Sequence, residues 1–417
     1  MSPREPPAAG DTITAAAKNA PALGSRAAVL MDAETGALLY AKNPDEPIPP
    51  ASLTKLMTIH IALKTAAAEN ISLDEPAELP RQSWAINQPP HSSLMFLSAG
   101  QRATTRELIM GLAVPSGNDA AVAVALRFAP SVETFVEQMN REARFMGLEK
   151  TRFVEPSGIS EYNVTTAREF ALFCREYLKL HPETLAEFHS VPEFAYPKAK
   201  NTAEQYQANS DTIVQQNHNR LLDNGNPGTR NPNAVEGVDG LKTGYIDEAG
   251  YNIALTAARR ETRFVAVILG APPAAGRVRE RIRDEDGKNL LNWGFNNFRT
   301  LRPVIPEQEP LRVWKGKTDY VTCVPGETLN FTAVSIRGEG LCWKGEYDEP
   351  LTAPLPAGSR AGTIVLSDNF GELRRIPLVT AENIEPGGFF KRLFDSVSLF
   401  FRAIFHAEQV ANSYPSL

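Results

Sequence analysis

The sequence predicts an α+β domain closed by an antiparallel sheet, followed by a small all-β sandwich and a C-terminal amphipathic helix. Three observations carry that prediction. Strand signals open the chain, helical spacing dominates its middle, and strands with one more helix return before Arg302, so both ends of the first domain meet in one sheet. Beyond Arg302, short alternating runs separated by Gly, Pro, Asp and Asn replace helical periodicity, as in a β-sandwich. A chain of 417 residues is also longer than one core usually grows.

The elements follow in order. "AAVLMDAETGALLYAKN" alternates around the turn signal Glu34-Thr35-Gly36 and predicts a hairpin. Pro47, Pro49 and Pro50 stop it, Ser52 starts a helix, and apolar residues continue through Leu63, so this helix belongs inside the domain. Thr104 with Glu107, and Thr166 with Glu169, read as capping signals before two further helices, and "SGNDAAVAVALRF" as another. Residues 201–233 are polar and predict a surface excursion. "AGYNIALTAARRETRFVAVILGA" reads as two strands joined by a charged turn, and "GKNLLNWGFNNF" as a closing helix. The expected boundaries are a flexible segment over 1–24, a first domain over 25–300, the β-domain over 301–384, and a helix with tail over 385–417.

Apolar residues make up 42% and charged ones 22%; 43 basic against 49 acidic side chains give a net charge of −6. That balance lacks the basic excess of a nucleic-acid binder. Cys174, Cys323 and Cys342 lack the paired spacing of a zinc site, and six scattered histidines lack ligand spacing, so neither a metal nor another cofactor is expected. Cys323 and Cys342 can pair in an oxidising compartment, but the sequence does not set their distance. The start, "MSPREPPAAGDTITAAAKNAP", has no apolar core before a cleavage site, so no signal peptide is expected in it: either the protein is cytosolic or the sequence begins after a removed signal.

Ser52 and Lys55 stand three apart and share one helical face. A serine hydroxyl is a poor nucleophile until a base takes its proton, which an ammonium cannot do. Lys55 must then be neutral in the working state, as burial in a greasy helix would make it. Taken alone, a capping serine beside a snorkelling lysine is the simpler account. Two further motifs change that balance: Ser116-Gly117-Asn118 between two helices, and Lys242-Thr243-Gly244 opening a strand. S-x-x-K, S-x-N and K-T-G in this order are the set of penicillin-interacting serine enzymes.

With "MDAETGALLYAKNPDEPIPPASLTKLMT", "NHNRLL", "KTGYIDEAGYNIALTA", "LLNWGF" and "IPLVTAENIEPGGFFKRLFD", these motifs make the chain resemble the D-alanyl-D-alanine carboxypeptidases, low-molecular-mass penicillin-binding proteins, along nearly its whole length. The resemblance implies a β-lactamase/transpeptidase-like fold, with an antiparallel sheet, helices on both sides and an all-helical lobe. It implies an enzyme that attacks peptidoglycan stem peptides ending in D-Ala-D-Ala, is acylated by β-lactam antibiotics, and works in the cell envelope. It further implies Ser52 as nucleophile, Lys55 as its base, Ser116 as proton relay, and backbone N–H groups of Ser52 and Tyr245 as oxyanion hole. Asn118, Lys242, Thr243, Gly244, Tyr245 and Arg283 would bind substrate, with Lys242 also depressing the pKa of Lys55. Arg283 stands ten residues before Trp293, where the family has a carboxylate-binding arginine; Arg277, Arg279 and Arg281 compete for that role, and a solvated charge run is the plain alternative. The family usually has threonine two residues after the K-T-G glycine; Ile246 here removes one polar contact.

Three rivals follow from the same residues. A class A β-lactamase needs a deacylating glutamate between the second and third motifs, where Glu155 and Glu161 lie, and would lack the C-terminal domain. A D,D-endopeptidase shares all three motifs, and a non-catalytic scaffold would be expected to have lost one. His218 in its polar loop and His60 in its apolar helix both read as non-catalytic. Finally, Phe390, Leu393, Phe394, Val397, Phe400, Phe401 and Ile404 form one wide helical face with Lys391, Arg392, Asp395 and Arg402 outside it. Such a helix is expected to lie on a membrane surface, held by apolar burial that resists salt, with docking on its own β-domain or on a second copy as the alternative.

Overall fold

The computed structural model describes residues 20–202, 211–223, 232–276, 278–335 and 337–411, with side chains described up to residue 402. It divides into two compact units, Met1–Thr300 and Leu301–Leu417. Most of the segment expected to be flexible, over 1–24, lies outside the described residues.

In the first unit, β1 (Ala27–Asp32) and β2 (Leu38–Lys42) form the expected hairpin. Asp32 explains its turn: Oδ1 accepts from the N–H groups of Glu34 and Thr35, and Gly36 adopts φ 76°. The helices α1 (Thr54–Glu69), α2 (Thr105–Ala113), α3 (Asn118–Phe128), α4 (Val132–Phe145) and α5 (Ala167–Leu180) follow. Thr104 and Glu107 close a reciprocal capping box on α2, and Thr166 caps α5 through the Glu169 N–H. α4 is not among the helices predicted from the sequence. Its signal was available: Ser131 caps it, and Phe135, Val136, Met139 and Ala143 bury one face.

Strands β3 (Val238–Ile246), β4 (Gly250–Arg259) and β5 (Thr262–Ala271) complete an antiparallel sheet in the order β2-β1-β5-β4-β3. The first and last strands in sequence therefore lie side by side, as predicted. Val29, Val265 and Val267 pack into the core shared with the helices, whereas Leu30, Phe264 and Ile268 pack against Leu290, Leu291 and Trp293 of the closing helix α6 (Arg281–Asn297). Both faces of the sheet are thus covered.

α6 begins six residues before the "GKN" stretch at which the sequence reading starts it. Glycine there does not break the helix but lets it approach the sheet: a Cβ on Gly287 would lie 2.7 Å from Leu255, and one on Gly294 2.5 Å from Leu30. Of the polar excursion, Ile213–Gln216 pairs with Glu193–Tyr196 as a ribbon, and 203–210 and 224–231 lie outside the described residues. His60 is a satisfied core residue, within 2.9 Å of His181 and 3.1 Å of Glu142.

The second unit is β-rich. β6 (Leu311–Trp314) pairs with Tyr320–Val321 and Leu351–Thr352, and β7 (Cys323–Pro325), β8 (Cys342–Tyr347), β9 (Arg360–Asp368) and β10 (Gly371–Thr380) make a sheet ordered β7-β10-β9-β8. Its core includes Val313, Val321, Leu351, Ile364, Ile376 and Leu378. Cys323 and Cys342 sit on its two opposite edge strands and are free thiols, so the pairing left open by the sequence does not form. Three strand spacings of about 4.8 Å far exceed the reach of a disulfide.

α7 (Phe389–Ala411) belongs to this unit and meets it with its polar side. Asp395 accepts from the Lys315 N–H at 2.6 Å, Lys391 pairs with Asp319, and Arg402 pairs with Glu349. Phe389, Phe390, Phe394, Phe400 and Phe401 are exposed on the other side. The helix thus does not bury its phenylalanine face on its own domain.

Candidate active site

Ser52 lies in a single 3₁₀ turn, Ala51–Leu53, that runs straight into α1. Pro50 and Ala51 set that turn, with Ala51 in the left-handed region at φ 51°. Lys55, one turn on, is 0% exposed. Its Nζ donates to Ser52 Oγ at 2.9 Å, to Asn118 Oδ1 at 2.8 Å and to the Ser157 carbonyl at 2.5 Å. All three donors of the side chain are thereby matched.

Burial pushes the Lys55 pKa down to about 7, against the opposing pull of Glu155 and then Asp119. Desolvation is the largest cause, and the amine of Lys242 stands close enough for the two cations to disfavour one another. That lysine is also buried, and its pKa is held well below the ordinary value by desolvation, then by Lys55 and Arg283.

The second motif enters from the α2–α3 junction. Ser116 is held at φ 64°, and its buried Oγ has no hydrogen-bond partner among the described residues. An orphaned hydroxyl in a strained backbone is costly and persists only where the surrounding structure fixes it. Asn118 spans the site, accepting from Lys55 and donating from Nδ2 to Ser92 Oγ at 3.1 Å. Asp119 supports the junction from behind, accepting from the Met95, Leu97 and Ala120 N–H groups.

The third motif lies on β3, the edge strand of the sheet. Gly244 packs on the Ser52 turn: a Cβ there would lie 2.9 Å from the Ser52 nitrogen and 3.0 Å from the Pro50 carbonyl oxygen. Asn252, opposite it on β4, donates to the Pro49 carbonyl at 2.9 Å and so ties the sheet to the same turn. Lys242 Nζ donates to the Thr243 carbonyl at 3.0 Å, Thr243 is nearly buried, and Tyr245 is exposed and stacks on Tyr251.

Arg283 is buried in the first turn of α6, where it holds Asp284 at 2.7 Å and lies within electrostatic range of Lys242. Arg281 is exposed on Glu285, Arg279 is exposed, and Arg277 lies outside the described residues.

Three features escaped the sequence reading. The Ser157 carbonyl on Lys55 is a backbone group with no residue signature. Ser92 is positioned by chain folding alone. His218, read as a bland loop residue, stands near the same cations: it is open to solvent on one side, and crowding by protein, then Lys242, Arg283 and Lys55, lower its pKa to about 4. Only the local "NHN" pattern pointed to it. Asn217 and Asn219 on either side pin the loop, through the Val191 carbonyl at 2.9 Å and the Gly240 carbonyl at 3.3 Å.

Residues 14–273 match the family D-alanyl-D-alanine carboxypeptidase. The chain belongs to that family. Residues 302–386 match the C-terminal domain of penicillin-binding protein 5. Among curated relatives, D-alanyl-D-alanine carboxypeptidase DacC of Escherichia coli is 35% identical, over 93% of this chain and 90% of that protein. Penicillin-binding protein 5 from Haemophilus influenzae superposes with a TM-score of 0.73 at 28% identity, over 88% of this chain and 99% of that structure. Penicillin-binding protein D2 from Listeria monocytogenes, solved in a cefotaxime-bound form, superposes with a TM-score of 0.54 at 28% identity, over 67% of this chain and all of that one. The family member's fold is therefore the β-lactamase/transpeptidase-like one, with a C-terminal β-domain.

Proposed function

We propose that this protein is a serine D-Ala-D-Ala carboxypeptidase of the bacterial cell envelope that trims peptidoglycan pentapeptide stems. One observation carries the reading: a fully buried lysine amine, with a pKa near neutrality, 2.9 Å from the hydroxyl of Ser52. Neutral Lys55 takes the Ser52 proton as Oγ adds to the carbonyl carbon of the penultimate D-Ala. The N–H groups of Ser52 and Tyr245 receive the resulting oxyanion, each donor contributing about 2.7–4 kcal/mol in comparable sites. Ser116 passes a proton to the departing D-Ala amine, and water then hydrolyses the ester. Asn118 aligns the substrate backbone, while Lys242, Thr243, Gly244 and Arg283 receive the terminal carboxylate in an electropositive pocket. A β-lactam carbonyl follows the same course as far as the ester.

The β-lactamase alternative is disfavoured because residues 302–386 form the C-terminal domain that such an enzyme would lack. Release of D-Ala from a pentapeptide, measured beside cleavage of a cross-linked dimer and turnover of penicillin, tests the assignment. We expect the first to dominate; a dominant second would make the protein an endopeptidase, and a dominant third a β-lactamase.

We further infer that α7 attaches the protein peripherally to a membrane. Its charged side is occupied by the β-domain, and its phenylalanines face outward. No helix among the described residues is long and apolar enough to cross a membrane. Burying one phenylalanine contributes about 1.5–3 kcal/mol, or roughly tenfold to a hundredfold in partitioning. Phe394→Glu should therefore reduce co-sedimentation with lipid vesicles at least about tenfold, and 1 M salt should leave wild-type binding largely intact. Retained binding by the variant would leave attachment to some other surface.

A further inference from the structure

The loop between α4 and α5 folds around one carboxylate. Glu155 Oε2 accepts from the Ser157 N–H at 2.7 Å and from Ser157 Oγ at 2.6 Å; Oε1 accepts from the Gly158 N–H at 2.6 Å and from Asn163 Nδ2 at 2.7 Å. The far side of this turn is stitched to α1. Asn163 Nδ2 reaches Thr54 Oγ1 at 3.3 Å, Thr58 Oγ1 donates to the Pro156 carbonyl at 2.6 Å, and Lys55 Nζ donates to the Ser157 carbonyl at 2.5 Å.

We propose that Glu155 is a positioning residue for Lys55: it folds the turn that sets the Ser157 carbonyl on the lysine amine. The inference rests on Lys55 being the base that activates Ser52. Burial lowers the basicity of Lys55, and a carboxylate close by restores part of it without touching the substrate. Glu155 leads Asp119 among the groups that do so.

The other charged groups facing this amine are Asp119 from α3, Lys242 from β3 and His218 from the loop after the Ile213–Gln216 ribbon, with Arg283 acting on the last two. Of the acids, Asp119 is committed to three backbone N–H groups at the α2–α3 junction. Glu155 is the one whose own loop delivers a ligand to the lysine.

The sign of the effect is definite. Lys55 must be neutral to act, so acylation falls as pH drops through its pKa. Removing the Glu155 charge lowers that pKa and moves the acid limb to lower pH. The test is the pH profile of Ser52 acylation by a fluorescent penicillin, for the wild type and for Glu155→Gln, Glu155→Asn and Glu155→Asp, each first checked for cooperative melting.

A folded amide variant should show its acid limb displaced downward by about one pH unit, so that at pH 5.5 it retains a roughly tenfold larger share of its plateau rate than the wild type. Glu155→Asp should keep the wild-type limb with a lower plateau. A limb that stays in place in a folded amide variant would overturn the inference, as would failure of both amides to fold while the aspartate variant does, since the carboxylate would then serve the loop alone. Absence of any wild-type adduct on Ser52 would instead remove the proposed function itself.

Discussion

Lys55→Ala is expected to slow acylation of Ser52 by a labelled penicillin by roughly a thousandfold, the middle of the range for a general base. In the wild type the rate should rise about tenfold per pH unit up to about pH 7, then level off. In the variant that limb should vanish with the group that produces it. The substitution also leaves Asn118 Oδ1 and the Ser157 carbonyl without their donor, at about 1–3 kcal/mol for each buried acceptor left unpaired. Near-UV circular dichroism separates that loss from the chemical one. Full labelling of a folded Lys55→Ala protein would rule out the lysine as base.

Gly158→Ala is expected to be the most damaging single methyl group near the site. Gly158 has φ 84°, where alanine is strained, and its Cβ would lie 1.9 Å from the Ala51 carbonyl oxygen and 2.9 Å from the Ser52 nitrogen. Neither is a flexible side-chain tip; both belong to the turn that carries Ser52. Left-handed strain costs about 1–2 kcal/mol and overpacking about 1–3 kcal/mol, so a loss of roughly 2–5 kcal/mol is expected in denaturant melts, with acylation impaired in whatever fraction folds. Ala or Ser tolerated at 158 with unchanged midpoint and labelling rate would show that the two loops separate more easily than they pack. By contrast Gly147, also at positive φ, has open space where its Cβ would go.

These two positions differ in how they could be found. Lys55 was visible in the chain because its chemistry is local: a serine three residues away, apolar neighbours at helical spacing, and two more motifs in order. Gly158 was not, because its constraint comes from a backbone more than a hundred residues earlier. The same contrast runs through the fold. The α2 capping box, the α5 cap and the β1–β2 turn depend on bonds spanning a few residues and were predicted from them. The early start of α6 was missed because a glycine whose missing Cβ accommodates Leu255 looks, in sequence, like a helix breaker.

Electrostatics divides along the same line. That a lysine beside Ser52 must lose its charge followed from chemistry, and the greasy helix named the cause. Motif logic pointed to Lys242, which does repel Lys55, but not to the carboxylates of Glu155 and Asp119 that oppose the effect of burial. Coulombic effects depend on distance and on the dielectric between groups, and neither is encoded in spacing along the chain. Likewise, composition marked the phenylalanine face of α7, but only the ion pairs of Lys391 and Arg402 with the β-domain show which side of that helix is left outward.

The chain's own pattern thus determines the family, the order of elements and the three motifs, since each depends on short-range stereochemistry or on residue types that the reaction cannot replace. Packing decides the partners of Lys55, the free state of Cys323 and Cys342, and the carboxylate behind the Ser157 carbonyl, because those follow from distances between segments that meet only after the chain has folded.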